Sequence, residues 1–132
     1  MKVSRSTGYA LIAASYIAKH RDEGIILSQT ISKEYKIPLE YLLKLLQQMV
    51  RAGILRSKRG PRGGFSMAKS PNKITMLQII EAVDGPMVNQ LALRELAPRQ
   101  KFSSKADKVY EKAIAQARSV FNKTKLSELI LK

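Results

Sequence analysis

With 132 residues, 45% of them hydrophobic but only 6% aromatic and none Trp, the chain suffices for one domain with a helical Leu/Ile/Ala core, or for a small domain and an arm. It has no cysteine and a single histidine, His20, which excludes disulfides, thiolate-held metals or iron–sulfur clusters, and multi-histidine metal sites; no stretch approaches the ~20 apolar residues of a membrane span and no secretory leader is evident, so a cytoplasmic location with no membrane partner is expected. The formal net charge of +14, with 13 Lys/Arg against 4 Asp/Glu in residues 1–70 and 11 against 6 in residues 71–132, points to a polyanionic partner, most simply nucleic acid.

In chain order, "SRSTGYALIAASYIAKH" predicts a first helix, capped by Ser4 or Ser6, with Tyr9, Ile12, Ala13, Tyr16 and Ile17 on its inner face. His20 is expected at its C-terminal end, near the last carbonyls, and Gly24 stops it. A short extended run then leads into a second helix capped by Ser28, with Ile31 and Tyr35 inward. "IPLEYLLKLLQQMVRAG" predicts a third helix, with Pro38 in its first turn and Gly53 at its end, so the turn between helices two and three is tight. Leu39, Leu42, Leu46, Met49 and Val50 form one face; Glu40, Lys44, Gln47, Gln48 and Arg51 form the other, a hydrogen-bonding surface.

"ILRSK" and "GGFSMA" read as two short strands flanking a turn with Pro61, Gly63 and Gly64, and Lys58, Arg59 and Arg62 stand at its tip. Thr75 with Gln78 three residues on is a capping-box pattern opening a fourth helix, whose inner face is Leu77, Ile80 and Val83 and which Gly85 and Pro86 end. Residues 87–103 have no clear period and read as a connector, with a helical turn or two broken by Pro98. Residues 104–122 predict a long helix of about 27 Å, boxed by Ser104 and Asp107 and striped with Ala106, Val109, Tyr110, Ala113, Ile114, Ala117, Val120 and Phe121. "TKLSELILK" reads as a short final helix.

Three helices with a tight turn before the third, then a hairpin, is the order of a winged helix-turn-helix. The fold class is therefore mainly α: residues 1–86 a winged helix-turn-helix DNA-binding domain with a two-stranded β wing, 87–103 a connector, and 104–132 a long dimerisation helix with a short C-terminal helix. In that arrangement Glu40, Lys44, Gln47 and Gln48 meet base edges in the major groove, Ser28 or Gln29 at the start of helix two meets a phosphate, and Lys58, Arg59 and Arg62 reach the flanking minor groove or backbone. The small-residue stripe suits close helix–helix packing in a homodimer through Val109, Tyr110, Ala113, Ile114, Ala117, Val120 and Phe121.

The segments "YALIAASYIAKH" and "ISKEYKIPLEYLLKLLQQMVRAGILRSKRGPRGGFSMAKSPNKITMLQIIEAVDGP" resemble the Rrf-two family of bacterial winged-helix transcription regulators, over residues 1–87 almost without gaps. "RGPRGGF" followed by "ITMLQIIEAVDGP" carries most of that resemblance. It implies a homodimer paired through the long helix, Arg59 in the minor groove, and Tyr41 and Lys44 facing DNA. Two departures stand out. The family's three-cysteine cluster site, expected between the fourth and the long helix, is absent, so no cofactor is expected; and Leu43 occupies a position that is Glu in some cluster-binding members. The expected function is a sequence-specific transcriptional regulator, taken as a repressor, acting on a palindromic operator in double-stranded DNA and answering to an unidentified small-molecule or protein effector. The alternative is a winged-helix protein that binds RNA or acts mainly through a protein partner. No nucleophile–base pair or metal constellation suggests an enzyme.

Overall fold

A capped start and a row of small residues shape the first helix. Ser4 is extended (φ −73°, ψ 157°) and its Oγ accepts the Thr7 backbone N–H at 3.0 Å, so α1 runs Arg5–Lys19. In the computed structural model, which describes residues 3–58 and 64–131, Ala10, Ala13, Ala14, Ile17 and Ala18 of this helix are fully buried, while Tyr9, Ile12 and Tyr16 are half-buried at the core's edge. His20 ends the helix as expected: its ring stacks on Tyr16 at 4.1 Å and Nδ1 donates to the Tyr16 carbonyl at 2.9 Å. A 3-10 turn, Arg21–Glu23, follows.

The extended run is a true strand, β1 (Ile26–Leu27), which leads straight into α2 (Ser28–Tyr35). Ser28 is therefore the first helical residue and not its cap; Leu27 occupies the cap with no side-chain hydrogen bond. Tyr35, expected inward, is 44% exposed, because α2 is so short that Ile31 alone anchors its apolar side. The turn into α3 (Leu39–Arg51) is tight, with Lys36 left-handed (φ 54°) and the Ser32 hydroxyl donating to the Ile37 carbonyl at 2.6 Å. Pro38 stands at the cap, one residue before the helix. At the other end the Ile54 N–H bonds the Met49 carbonyl and the Gly53 N–H that of Val50, each at 3.0 Å, a Schellman ending with Gly53 at φ 78°.

Strands β2 (Leu55–Lys58) and β3 (Gly64–Met67) form the hairpin, paired Leu55 with Met67 through Lys58 with Gly64. The expected two-stranded wing is part of a three-stranded sheet: β1 pairs antiparallel with β3, giving the order β1-β3-β2 and fixing the base of the hairpin to the helices. A Cβ at Gly64 would come within 2.5 Å of Ile25 Cγ2, so any larger residue there would have to displace that side chain. Phe65 beside it is buried in the core with Leu42, Leu46, Met49, Ile54 and Leu55.

The capping box is present: the Gln78 N–H donates to Thr75 Oγ1 at 3.1 Å and the Thr75 N–H to Gln78 Oε1 at 2.8 Å, opening α4 (Met76–Asp84). After α5 (Leu93–Leu96), helix α6 (Lys101–Lys123) starts three residues before the expected boundary at 104 and spans 23 residues, about 35 Å. Ser104 caps nothing, because it lies inside the helix. Asp107 caps another segment. Its buried carboxylate accepts the backbone N–H groups of Leu93 (2.7 Å) and Arg94 (3.0 Å) at the start of α5 and pairs with the Arg94 guanidinium at 3.2 Å. The last helix, α7 (Leu126–Leu129), turns back onto the first unit: the Leu126 N–H donates to the Ile74 carbonyl and the Met76 N–H to that of Thr124, each at 2.8 Å, and Leu126 is fully buried in the core.

Candidate nucleic-acid interface

Helix α3 sorts its residues sharply. Leu42, Leu45, Leu46 and Met49 are buried, and the opposite side presents Glu40, Lys44, Gln47 and Arg51 to solvent. That opposite side carries donors, acceptors and both charges, the mixture that base edges require. Gln48 is half-buried, and its amide oxygen is buried without a hydrogen-bond partner among the described residues, in a small hollow of about 140 Å³ lined by Ser6, Tyr41, Lys44, Leu45, Gln48 and Val83.

Tyr41 is 36% exposed. Tyr9 meets its ring edge-on at 5.6 Å, and its hydroxyl is hydrogen-bonded to Ser6. The first turn of α1 thus props a residue of α3 on the polar side.

Of the two residues assigned to the start of α2, Gln29 is exposed and Ser28 is 1% exposed, so of the two only Gln29 has its side chain open to solvent. The cause is the strand that runs into the helix and draws its first residue inside. Thr30, exposed in the same first turn, is a candidate that sequence reading missed. So is Arg56: on β2 only Leu55 is buried, and Arg56, Ser57 and Lys58 are all exposed, as an edge strand allows. Arg59 and Arg62 lie outside the described residues.

The long stripe on α6 divides between two uses. Ile114 borders a cleft with Met87, Val88 and Arg118, and Phe121 lines a cavity against α1 and α4, so both look toward their own domain. Arg118 is ion-paired with Glu81 of α4 on that inner side. Val109 (69% exposed), Val120 (62%) and Tyr110 (56%) have no cover, nor does Ala113. Phe102 (59%), absent from the expected set, joins them at helical spacing once the earlier helix start is known. Ala117 is half-buried between the two sides.

Among the described residues no helix is long and apolar enough to cross a membrane.

A family profile named Rrf2 and described as "Iron-dependent Transcriptional regulator" matches residues 3–132. A protein of Aquifex aeolicus classed by inference as an HTH-type transcriptional regulator is 44% identical over 81 residues, 61% of this chain and 56% of that protein. The HTH-type transcriptional regulator IscR of Aliivibrio salmonicida is 36% identical over 84 residues, 64% of this chain and 50% of that one. The chain spans about half the length of these curated relatives. Among solved structures, CymR, the global cysteine regulator of B. subtilis, superposes with a TM-score of 0.82 at 24% identity, covering 98% of this chain and 96% of its own, a likeness of fold.

Proposed function

The chain belongs to the Rrf2 family, and from that premise we propose that it regulates transcription by binding double-stranded DNA sequence-specifically as a homodimer on a palindromic operator, repressing by occupancy. The carrying observation is α3, one face of which builds the core while the other leaves Glu40, Lys44 and Gln47 exposed. Residues on that face can enter a major groove without disturbing the fold. Gln29 and Thr30 in the first turn of α2, where backbone N–H groups lack helical partners, suit a phosphate. Arg56 and Lys58 add exposed cations on the edge strand, and the sequence continues with Arg59 and Arg62.

The homodimer reading is supported by the uncovered apolar residues of α6, which a monomer leaves in water. Two-fold pairing through that helix repeats α3 twice, and a palindrome matches such a repeat.

The family description names iron. The residues here do not fit it. The chain has no cysteine, and among the described residues no three of His, Cys, Asp and Glu gather as a metal site. His20 is turned onto the Tyr16 carbonyl, and Asp107 is committed to backbone N–H groups.

The test is genome-wide mapping of bound sites, followed by mobility shifts on the recovered duplexes, scrambled duplexes, single strands and RNA of the same sequence. Preference for the recovered duplex is the expected result. Equal affinity for every duplex, or tighter binding to RNA, overturns the reading.

A further inference from the structure

A cavity of about 220 Å³ lies where α1, α4 and α6 meet. Its walls are apolar: Leu11 from α1, Met76 and Ile80 from α4, Pro86 and Met87 just after it, and Phe121 from α6. Two lining side chains are polar, Thr7 and Asp84. Among the described residues that line it, Asp84 is the only charged one, and it is an anion in a chain of net charge +14.

The Asp84 carboxylate is held by two hydroxyls of the first turn of α1. Thr7 Oγ1 donates to it at 2.5 Å, and Ser4 Oγ lies 2.8 Å and 2.9 Å from its two oxygens. Ser4 is also the N-cap of α1. Ser6, between these two residues, carries the hydroxyl bonded to Tyr41 on α3. One turn of helix thus touches the cavity on one side and the candidate DNA-reading helix on the other.

We infer that this cavity is an effector site for a small apolar ammonium ion of roughly seven to ten non-hydrogen atoms, with Asp84 as the partner of its charge. An apolar body matches the walls, and the lone carboxylate selects a cation over a neutral or anionic molecule of the same shape. A cation drawn to Asp84 competes with Ser4 and Thr7 for the carboxylate oxygens. The first turn of α1 then loses two tethers, and Ser6 no longer fixes Tyr41. Linkage makes the effect reciprocal: the ammonium weakens DNA binding, and DNA weakens ammonium binding, by the same factor. The site itself stands independently of the DNA reading, whereas its regulatory effect rests on it.

The probe is phenethylammonium, with phenethyl alcohol as the neutral match. Both are titrated into the whole protein while amide shifts are followed by NMR. Saturable shifts at Thr7, Leu11, Ile80 and Met87 are expected for the amine, with the alcohol weaker by about tenfold or more. Asp84→Asn keeps one acceptor oxygen, which Ser4 and Thr7 can share as they share Oδ2 of Asp84, and should bring the amine down to the alcohol's affinity. Leu11→Phe fills the cavity and should abolish binding of both, with the thermal midpoint unchanged. Equal binding of amine and alcohol, or no saturable shift, overturns the site. The second arm measures affinity for the recovered duplex with the amine present; a fall of about tenfold, within the usual range of coupling, is expected. Amine binding that leaves DNA affinity unmoved overturns the regulatory half. A protein that binds the amine and no DNA supports the cavity and defeats the function proposed above instead.

Discussion

Valine 109 offers the sharpest test of pairing through α6, because its side chain belongs to no core of its own. It is 69% exposed on an exposed face. Val109→Ala removes two methyl groups, worth about 1.6 kcal/mol if fully buried, at ~0.8 kcal/mol each. Scaled by the exposed fraction, covering them contributes about 1.1 kcal/mol per protomer. A two-fold interface counts the residue twice, so the dimer loses about 2.2 kcal/mol, roughly a 40-fold rise in Kd. The folded monomer should not lose stability, since alanine is the better helix former and nothing buried is removed. Sedimentation equilibrium across nanomolar to micromolar concentrations gives the Kd, and thermal unfolding at low concentration gives the control. Val109→Glu, which places a charge from each protomer in the seam, should leave only monomer. Ile114 is the poorer probe because it borders a cleft against its own domain. A wild-type chain that stays monomeric at micromolar concentration, or a Val109→Ala variant with unchanged Kd, refutes pairing through this face.

Leu126→Ala should destabilise the chain by about 2–5 kcal/mol, the usual range for a buried leucine, because Leu126 carries α7 into the core; denaturant unfolding reads this, and a change within error would mean α7 does not dock. Lys58→Ala should lower affinity about equally for operator and random duplex and flatten the log K against log salt slope by about one, whereas Gln47→Ala should lower operator affinity selectively. Asp107 has its carboxyl pushed up by burial, but the N–H groups of Leu93 and Arg94 and the Arg94 charge outweigh this and hold it below the usual aspartate range. A lowered folded-state pKa means the contribution is complete above the unfolded value and is lost as pH falls through the folded one. Asp107→Asn should therefore be less stable than wild type at neutral pH and converge on it in acid, below about pH 4; a gap between the two that is independent of pH refutes the assignment.

Much of the fold was legible because local chemistry decides it. The Ser4 cap, the Thr75–Gln78 box and the Gly53 ending each need only residues within one turn of the chain. The order of elements then yielded the wing. What the sequence hid is long-range. The pairing of Ile26 with Phe65 joins residues far apart, and a two-residue strand has no period to read; the burial of Ser28 follows from it. Asp107 and Ser104 fit a local box, and only the folded connector shows Asp107 turned to Leu93 and Arg94 instead. The α6 stripe was visible, but its apolar residues cover more of the helix than one seam requires. Ile114 and Phe121 border hollows against their own domain, whereas Phe102, Val109 and Val120 stand exposed.

The connector explains how a cysteine-free member of an iron-described family keeps its shape between α4 and α6. Helix α5 has four residues, too few to hold itself in water. Its first N–H groups are instead taken by the Asp107 carboxylate, and Arg94 bridges that carboxylate to Glu111 at 3.2 Å. The Ser103 hydroxyl closes the other side on the Ala97 carbonyl at 2.8 Å. A carboxylate supplied by α6 thereby orders the segment leading into α6. Such a clasp needs no bound ion, and a proton opens it only in acid. It holds the connector without reporting on it. The proposed effector site lies elsewhere, in the cavity joining α1, α4 and α6 at Asp84, whose ties to Ser4 and Thr7 leave it one helical turn from the Ser6–Tyr41 contact.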